Sequence, residues 1–165
     1  MTEGSAVPHA VSVLLDEELL ALNRTVGALR RRNLPIESIA VGPAGAPGLA
    51  RLTIILNSDV ATVDTTVKKL HKLSGVRAAV TFPVDEGVTR ELALVKVRAQ
   101  HERYAALLDV IELFNADVVD EGADAVIVQV TGSGSFILAF IRAVEGFGIL
   151  DVARSGSVAL ARATD

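Results

Sequence analysis

Three groups of residues have the types and spacing to do chemistry. Thr131-Gly132-Ser133-Gly134-Ser135 places hydroxyls and glycines between a β-branched run and an apolar helical pattern. A helix N-terminus reached through such a turn presents backbone N–H groups to an anion. The stretch lacks the full dinucleotide fingerprint and has no P-loop lysine, so the plainer expectation is a turn whose serine caps the helix. Asp16-Glu17-Glu18 supplies three consecutive carboxylates. They could bind a cation, but no further oxygen ligands accompany them, and acids are favoured at a helix start by the dipole alone. Arg30-Arg31-Arg32 could form a basic patch or close a helix, where cations are favoured.

His9, His71 and His101 are the only histidines, and no two of them stand at metal-ligand spacing. None has a visible nucleophile or orienting partner. Cysteine is absent, which excludes disulfides, thiolate metal sites and cysteine nucleophiles. The expectation is a chain with no catalytic residue, no metal ligand and no cofactor of its own.

The elements that must position these groups are legible as periodicity. Val11, Val13 and Leu15 alternate as a strand, and Leu19, Leu22, Val26 and Leu29 recur as one helical stripe. The turn between them directs backbone N–H groups outward, a place suited to a carboxylate ligand. Asn33 and Pro35 stop the helix, and Ile36, Ile39 and Val41 begin a second strand. Gly42 to Gly48 reads as a loop, and Arg51 to Asn57 as a third strand. Ser58 or Asp59 caps a helix striped by Val63, Val67, Leu70 and Leu73. Gly75 ends it, and Val76 to Phe82 is a fourth strand.

The same order returns in the second half. Glu91 to Val97 is a strand, followed by a helix striped by Tyr104, Leu107 or Leu108, Ile111 and Phe114. Two strands, Asp117 to Asp120 and Ala125 to Val130, precede a helix striped by Phe136, Phe140, Val144 and Phe147. Ile149 to Val152 and Ser157 to Leu160 close the unit. The predicted class is α+β, with two ferredoxin-like βαββαβ domains at residues 9–84 and 88–162.

Half of the 165 residues are hydrophobic and only 4% are aromatic, which suits tight packing of sheet on helix. The net charge of −4 argues against nucleic-acid and anionic-membrane partners. No apolar run reaches the roughly 20 residues of a membrane span. Met1 to Pro8 reads as a short disordered lead, with no signal peptide, so the cytoplasm is the expected compartment. Open sheet edges predict pairing with another copy.

Taken together, several segments resemble a known family. They include Ala21-Leu22-Asn23-Arg24, Ile36-Glu37-Ser38-Ile39 and Lys69-Leu70-His71-Lys72-Leu73. In the second half they include Phe114-Asn115-Ala116-Asp117-Val118-Val119-Asp120 and Phe147-Gly148-Ile149-Leu150-Asp151-Val152-Ala153-Arg154-Ser155-Gly156. In this order they resemble the small regulatory subunit of acetolactate (acetohydroxyacid) synthase, whose N-terminal half is an ACT domain. The resemblance implies a non-catalytic subunit that dimerises through its ACT domains. It implies a large catalytic subunit as partner, on which thiamine diphosphate, Mg and FAD are carried. It also implies activation of that partner and feedback inhibition by valine.

The departure from the family falls at the first strand-to-helix turn. Family members usually have Asn or Asp and then Gly there, and an Asn before the second strand; this chain has Glu17, Leu20 and Pro35. Leu20 adds bulk where Gly permits close backbone approach. Glu17 adds negative charge where an amino-acid carboxylate would dock. Pro35 removes a backbone donor and an amide side chain. Each hydrogen bond lost to a charged ligand costs roughly 1.5–3 kcal/mol, about tenfold to hundredfold in affinity. Ala21, Leu22 and Ile36 match the family pattern as effector-binding positions, and the plainer reading of them is core. The resemblance therefore implies a regulatory subunit with valine feedback weakened or lost. The alternative is a free-standing small-molecule-sensing ACT protein, or a paralogous subunit of another thiamine-diphosphate enzyme.

Overall fold

The computed structural model describes residues 6–163. Strand β1 (Val7–Asp16) leads into helix α1 (Leu19–Arg30), then β2 (Ile36–Pro43), β3 (Leu49–Ser58), α2 (Val60–Leu70) and β4 (Val76–Pro83). A 3₁₀ turn, Val84–Glu86, precedes β5 (Gly87–Arg98). The remainder is a second 3₁₀ turn (His101–Arg103), α3 (Tyr104–Leu113), β6 (Asp117–Glu121), β7 (Ala125–Gly132), α4 (Gly134–Glu145), β8 (Ile149–Arg154) and β9 (Val158–Ala161). The sheet orders are β2-β3-β1-β4 and β6-β7-β5-β8, with β9 pairing β5. Each sheet is antiparallel with its helices on one face, so the expected pair of ferredoxin-like βαββαβ units is present. Of the expected N-terminal lead, Val7 and Pro8 already belong to β1, and residues 1–5 lie outside the described residues.

In the first unit β1 is central, flanked by β3 and β4. Val11, Val13 and Leu15 of β1 and Leu52, Ile54 and Leu56 of β3 are buried beneath α1 and α2. Each large aliphatic side chain removed from water contributes roughly 1.5–3 kcal/mol. The buried face of α1 is Ala21, Thr25 and Leu29. This corrects the expected stripe, since Leu19 is 75% exposed and Val26 37%. The reason is Thr25, whose hydroxyl donates to the Ala21 carbonyl at 2.9 Å and so enters the core without an unsatisfied polar atom. Thr66 of α2 does the same with the Thr62 carbonyl at 2.8 Å. Asp59 caps α2 as expected, accepting from the Thr62 N–H at 2.9 Å.

Two large apolar residues of β2 are also exposed. Ile39 and Val41 stand opposite Ile54 and Leu52 on the helix side of the sheet. They remain 40% and 54% exposed because β2 is the edge strand and the helices do not reach over it.

The second unit repeats the plan around Val95, Val97, Val128, Leu107, Ile137 and Phe140. Leu107, not Leu108, faces this core. In α4 the stripe is Ile137, Phe140 and Val144, while Phe136 is partly exposed and its ring lies 5.4 Å from that of Phe114.

The chain divides into two compact units, and the division is not a single cut. The first contains the described residues up to Val88 and those from Ser157 onward; the second is Thr89–Gly156. The sequence places Ser157 to Leu160 in the second domain, and β9 does pair with β5; its residues also pack among those of the first unit. Ala159 of β9 joins Ala10, Ile55, Phe82 and Val84 in a small apolar cluster on the sheet face away from the helices. The Ser157 N–H points to the Ser38 hydroxyl at 3.5 Å. Covering Ala10 and Ile55 is the apolar gain that draws the segment back. Among the described residues no helix is long and apolar enough to cross a membrane.

Candidate functional site: the strand-to-helix turn of the first unit

Two residues separate β1 from α1, and the turn they make is clamped from both sides. The Asp16 N–H donates to the Gly75 carbonyl at 2.8 Å, and the Glu17 N–H to the Gly48 carbonyl at 2.8 Å. The Glu18 N–H donates to the Asp16 carbonyl at 2.7 Å. Both glycines have positive φ, 75° at Gly48 and 88° at Gly75. Gly75 must also lack a side chain, because a Cβ there would lie 2.8 Å from the Ala21 Cβ. The donors expected to point outward are thus consumed inside the protein. What stays open is the first turn of α1, whose N–H groups have no intrahelical acceptor. Its N-cap, Glu18, has the extended backbone of a cap (φ −128°, ψ 136°) but makes no side-chain capping bond.

The acids are also redistributed. None of Asp16, Glu17 and Glu18 lies in the first turn of α1. Asp16 forms a two-pronged pair with Arg77 of β4, at 2.6 and 3.2 Å, which ties the end of β1 to its neighbour. Hydrogen bonding to Asp16 raises the Arg77 guanidinium further above its ordinary value. Glu17 and Glu18 are exposed beside the open helix start.

Of the expected effector positions, Ala21 is buried under Gly75, and Leu22 and Ile36 are partly buried against the same apolar cluster. Leu20 is 54% exposed on the first turn of α1. Pro35 is exposed, and its carbonyl accepts from the Asn57 N–H at 3.1 Å.

The other turn with anion-binding character, Thr131 to Ser135, is closed. Ser133 caps α4, accepting from the Phe136 N–H at 3.2 Å. Beside it stands a carboxylate that sequence reasoning missed. Glu91 is 5% exposed and holds Arg154 through two hydrogen bonds of 2.6 and 2.9 Å. A Cβ on Gly134 would lie 3.6 Å from Glu91 Oε2, so this carboxylate rests against the start of α4. Its hydrogen bonds raise the Arg154 guanidinium above the ordinary value. The available signal was an acid on the same face as the apolar Ala93, Val95 and Val97 of β5, opposite Gly132 of β7.

Two of the histidines do structural work. His9 is buried with Nδ1 2.9 Å from the Val7 carbonyl, and His71 Nε2 lies 2.6 Å from the Ala79 carbonyl. His101 is exposed. Among the described residues no three His, Asp or Glu side chains gather as a metal site.

A tandem of ferredoxin-like units, the first with this clamped turn, defines an ACT-type protein. Residues 13–78 match the family model described as an AHAS small subunit-like ACT domain, and residues 90–163 match that of the small subunit of acetolactate synthase. The acetolactate synthase small subunit of Mycobacterium leprae is 35% identical over 154 residues, covering 93% of this chain and 91% of that one. A probable acetolactate synthase small subunit of Archaeoglobus fulgidus is 34% identical over 154 residues, covering 93% and 96%. The crystal structure of the acetolactate synthase small subunit from Thermotoga maritima superposes with a TM-score of 0.89 at 31% identity, covering 96% of this chain and 99% of that one. The chain belongs to the acetolactate synthase small-subunit family.

Proposed function

We propose that this chain is the non-catalytic, activating regulatory subunit of an acetolactate synthase in branched-chain amino acid synthesis. It works in the cytoplasm against a large catalytic subunit that carries thiamine diphosphate, Mg and FAD. Full-length similarity to small subunits across both units carries the reading. Two copies associate through their ACT units. Edge strand β2 supports this, since it pairs with β3 on one side only and leaves its other backbone edge open, with Ile39 and Val41 exposed.

Valine feedback is weakened or absent in this reading. The start of α1 is where the family's effector carboxylate would meet open N–H groups. Here the exposed carboxylates of Glu17 and Glu18 stand beside it, and Leu20 occupies its first turn. Like charge near a docking carboxylate opposes binding, and Leu20 prevents the close backbone approach a glycine allows. Ala21, Leu22 and Ile36 then serve chiefly as core beneath the turn.

The deciding assay is acetolactate formation by the cognate large subunit, alone and with this chain, titrated with valine, leucine and isoleucine. Activation without inhibition is the expected result. Activation with strong valine inhibition overturns the reading of Glu17, Leu20 and Pro35. Absence of activation moves the chain to another thiamine-diphosphate partner or to free-standing sensing.

A further inference from the structure

A second place in the first unit has the make-up of a binding site, and it is cationic. A pocket of about 300 Å³ opens between the C-terminal ends of α1 and α2. Arg31, Arg32 and Lys69 line it, over a floor that includes Ala28 and Leu70, and no carboxylate is among its lining residues. Thr66 places its hydroxyl there, accepting from Arg32 Nη1 at 3.3 Å while donating to the Thr62 carbonyl at 2.8 Å. The size is at the lower end for small-molecule sites.

The simplest account of cations at helix ends is compensation of the dipole and capping of the last carbonyls. Here the backbone has already done the capping. The Arg31 N–H returns to the Gly27 carbonyl and the Arg32 N–H to the Leu29 carbonyl, at 3.3 and 3.0 Å. In α2 the N–H groups of His71, Lys72 and Leu73 return to the carbonyls of Val67, Lys69 and Leu70. The only hydrogen bond made by the Arg31, Arg32 and Lys69 side chains, among the described residues, is that of Arg32 to Thr66. None of the three forms an ion pair with a described residue. Scarcity of acids does not explain this, since the chain has 20 Asp and Glu against 16 Lys and Arg. Three like charges around one concavity repel one another until a counter-charge arrives.

We propose that this pocket binds a small phosphate-bearing anion carrying at least two negative charges. Two guanidinium forks match the paired oxygens of a phosphate group, and the ammonium adds a point charge. Ala28 and Leu73, both partly exposed, give an organic body attached to the phosphate an apolar surface to rest on. The site is separate from the start of α1 and does not depend on the valine reading.

The test is calorimetry on the full chain at about 0.15 M salt, where exposed charges are screened over roughly 8 Å. Inorganic diphosphate is the probe and acetate the control. Diphosphate binding is expected, with acetate at least about tenfold weaker. Arg31→Gln, Arg32→Gln and Lys69→Gln should each weaken diphosphate roughly tenfold, and Lys69→Arg should retain it. These side chains lie at the surface, and circular dichroism on each variant checks that the fold persists. Adenosine diphosphate binding tighter than inorganic diphosphate would assign the site to a phosphorylated metabolite; equal affinity would assign it to the free anion. Absence of diphosphate binding overturns the proposal, as does binding that none of the substitutions weakens. Weakened association with the large subunit, with diphosphate affinity intact, would give these cations to an acidic protein surface and also overturn it.

Discussion

The starts of α1 and α4 follow the same instruction, a strand and a short turn leading into a helix, and reach opposite ends. At α4 the chain supplies its own cap, Ser133, and its own carboxylate, Glu91, held in place by Arg154. At α1 it supplies neither, although Glu17 and Glu18 are adjacent in sequence. The effort there goes into fixing the backbone, through the carbonyls of Gly75 and Gly48. A helix start satisfied from within is scaffold. One held through its backbone, with its first turn uncapped, leaves N–H groups for something outside the helix to meet.

Substitutions can break or sharpen this contrast. The largest effect is expected at Gly75. Gly75→Ala must accept a positive φ and a clash with Ala21, and should cost about 3 kcal/mol in denaturant unfolding. The same change at Gly134 meets only ordinary contacts and should be neutral or slightly stabilising. Next is Glu91→Gln, which strands Arg154. Breaking a fully buried pair costs about 3–5 kcal/mol, and with the Arg154 side chain 37% exposed the loss should be nearer 2 kcal/mol.

Smaller effects come from the caps themselves. Ser133→Ala should cost about 1 kcal/mol, whereas Glu18→Ser should add roughly 0.5–1 kcal/mol by capping α1. If Glu18→Ser stabilises nothing, α1 is already capped in solution and the contrast fails. The smallest effect is a pH dependence at Asp59, the cap of α2. Hydrogen bonds from Thr62 hold its carboxyl below the ordinary value. A depressed folded value contributes stability above the unfolded range of about 4, which is lost as pH falls through the folded value. The stability gap between the wild type and Asp59→Asn should therefore be present at pH 7 and close on acidification.

Element order and both βαββαβ units were legible because apolar periodicity reports packing directly. Which helical residues faced inward was less legible. Leu19 and Val26 look like core and are exposed, whereas Thr25 and Thr66 look like surface and are buried, their hydroxyls turned back onto the helix. Edge position hid the exposure of Ile39 and Val41, since alternation says which face a residue takes but not whether anything covers it. At the candidate site, Glu17, Leu20 and Pro35 were readable as residues. The capture of the turn's donors was not, because Gly48 and Gly75 arrive from loops 30 and more residues away. Glu91 was overlooked because its partner Arg154 lies 63 residues further on.

The return of the final segment to the first unit has a consequence for synthesis. A chain emerging N-terminus first has made β1 to β4 long before β9 exists. Until then Ala10, Ile55 and Phe82 lack the cover of Ala159. The second unit, encoded in between, has its whole sequence available earlier. On the ribosome the unit that starts first is therefore the unit that finishes last.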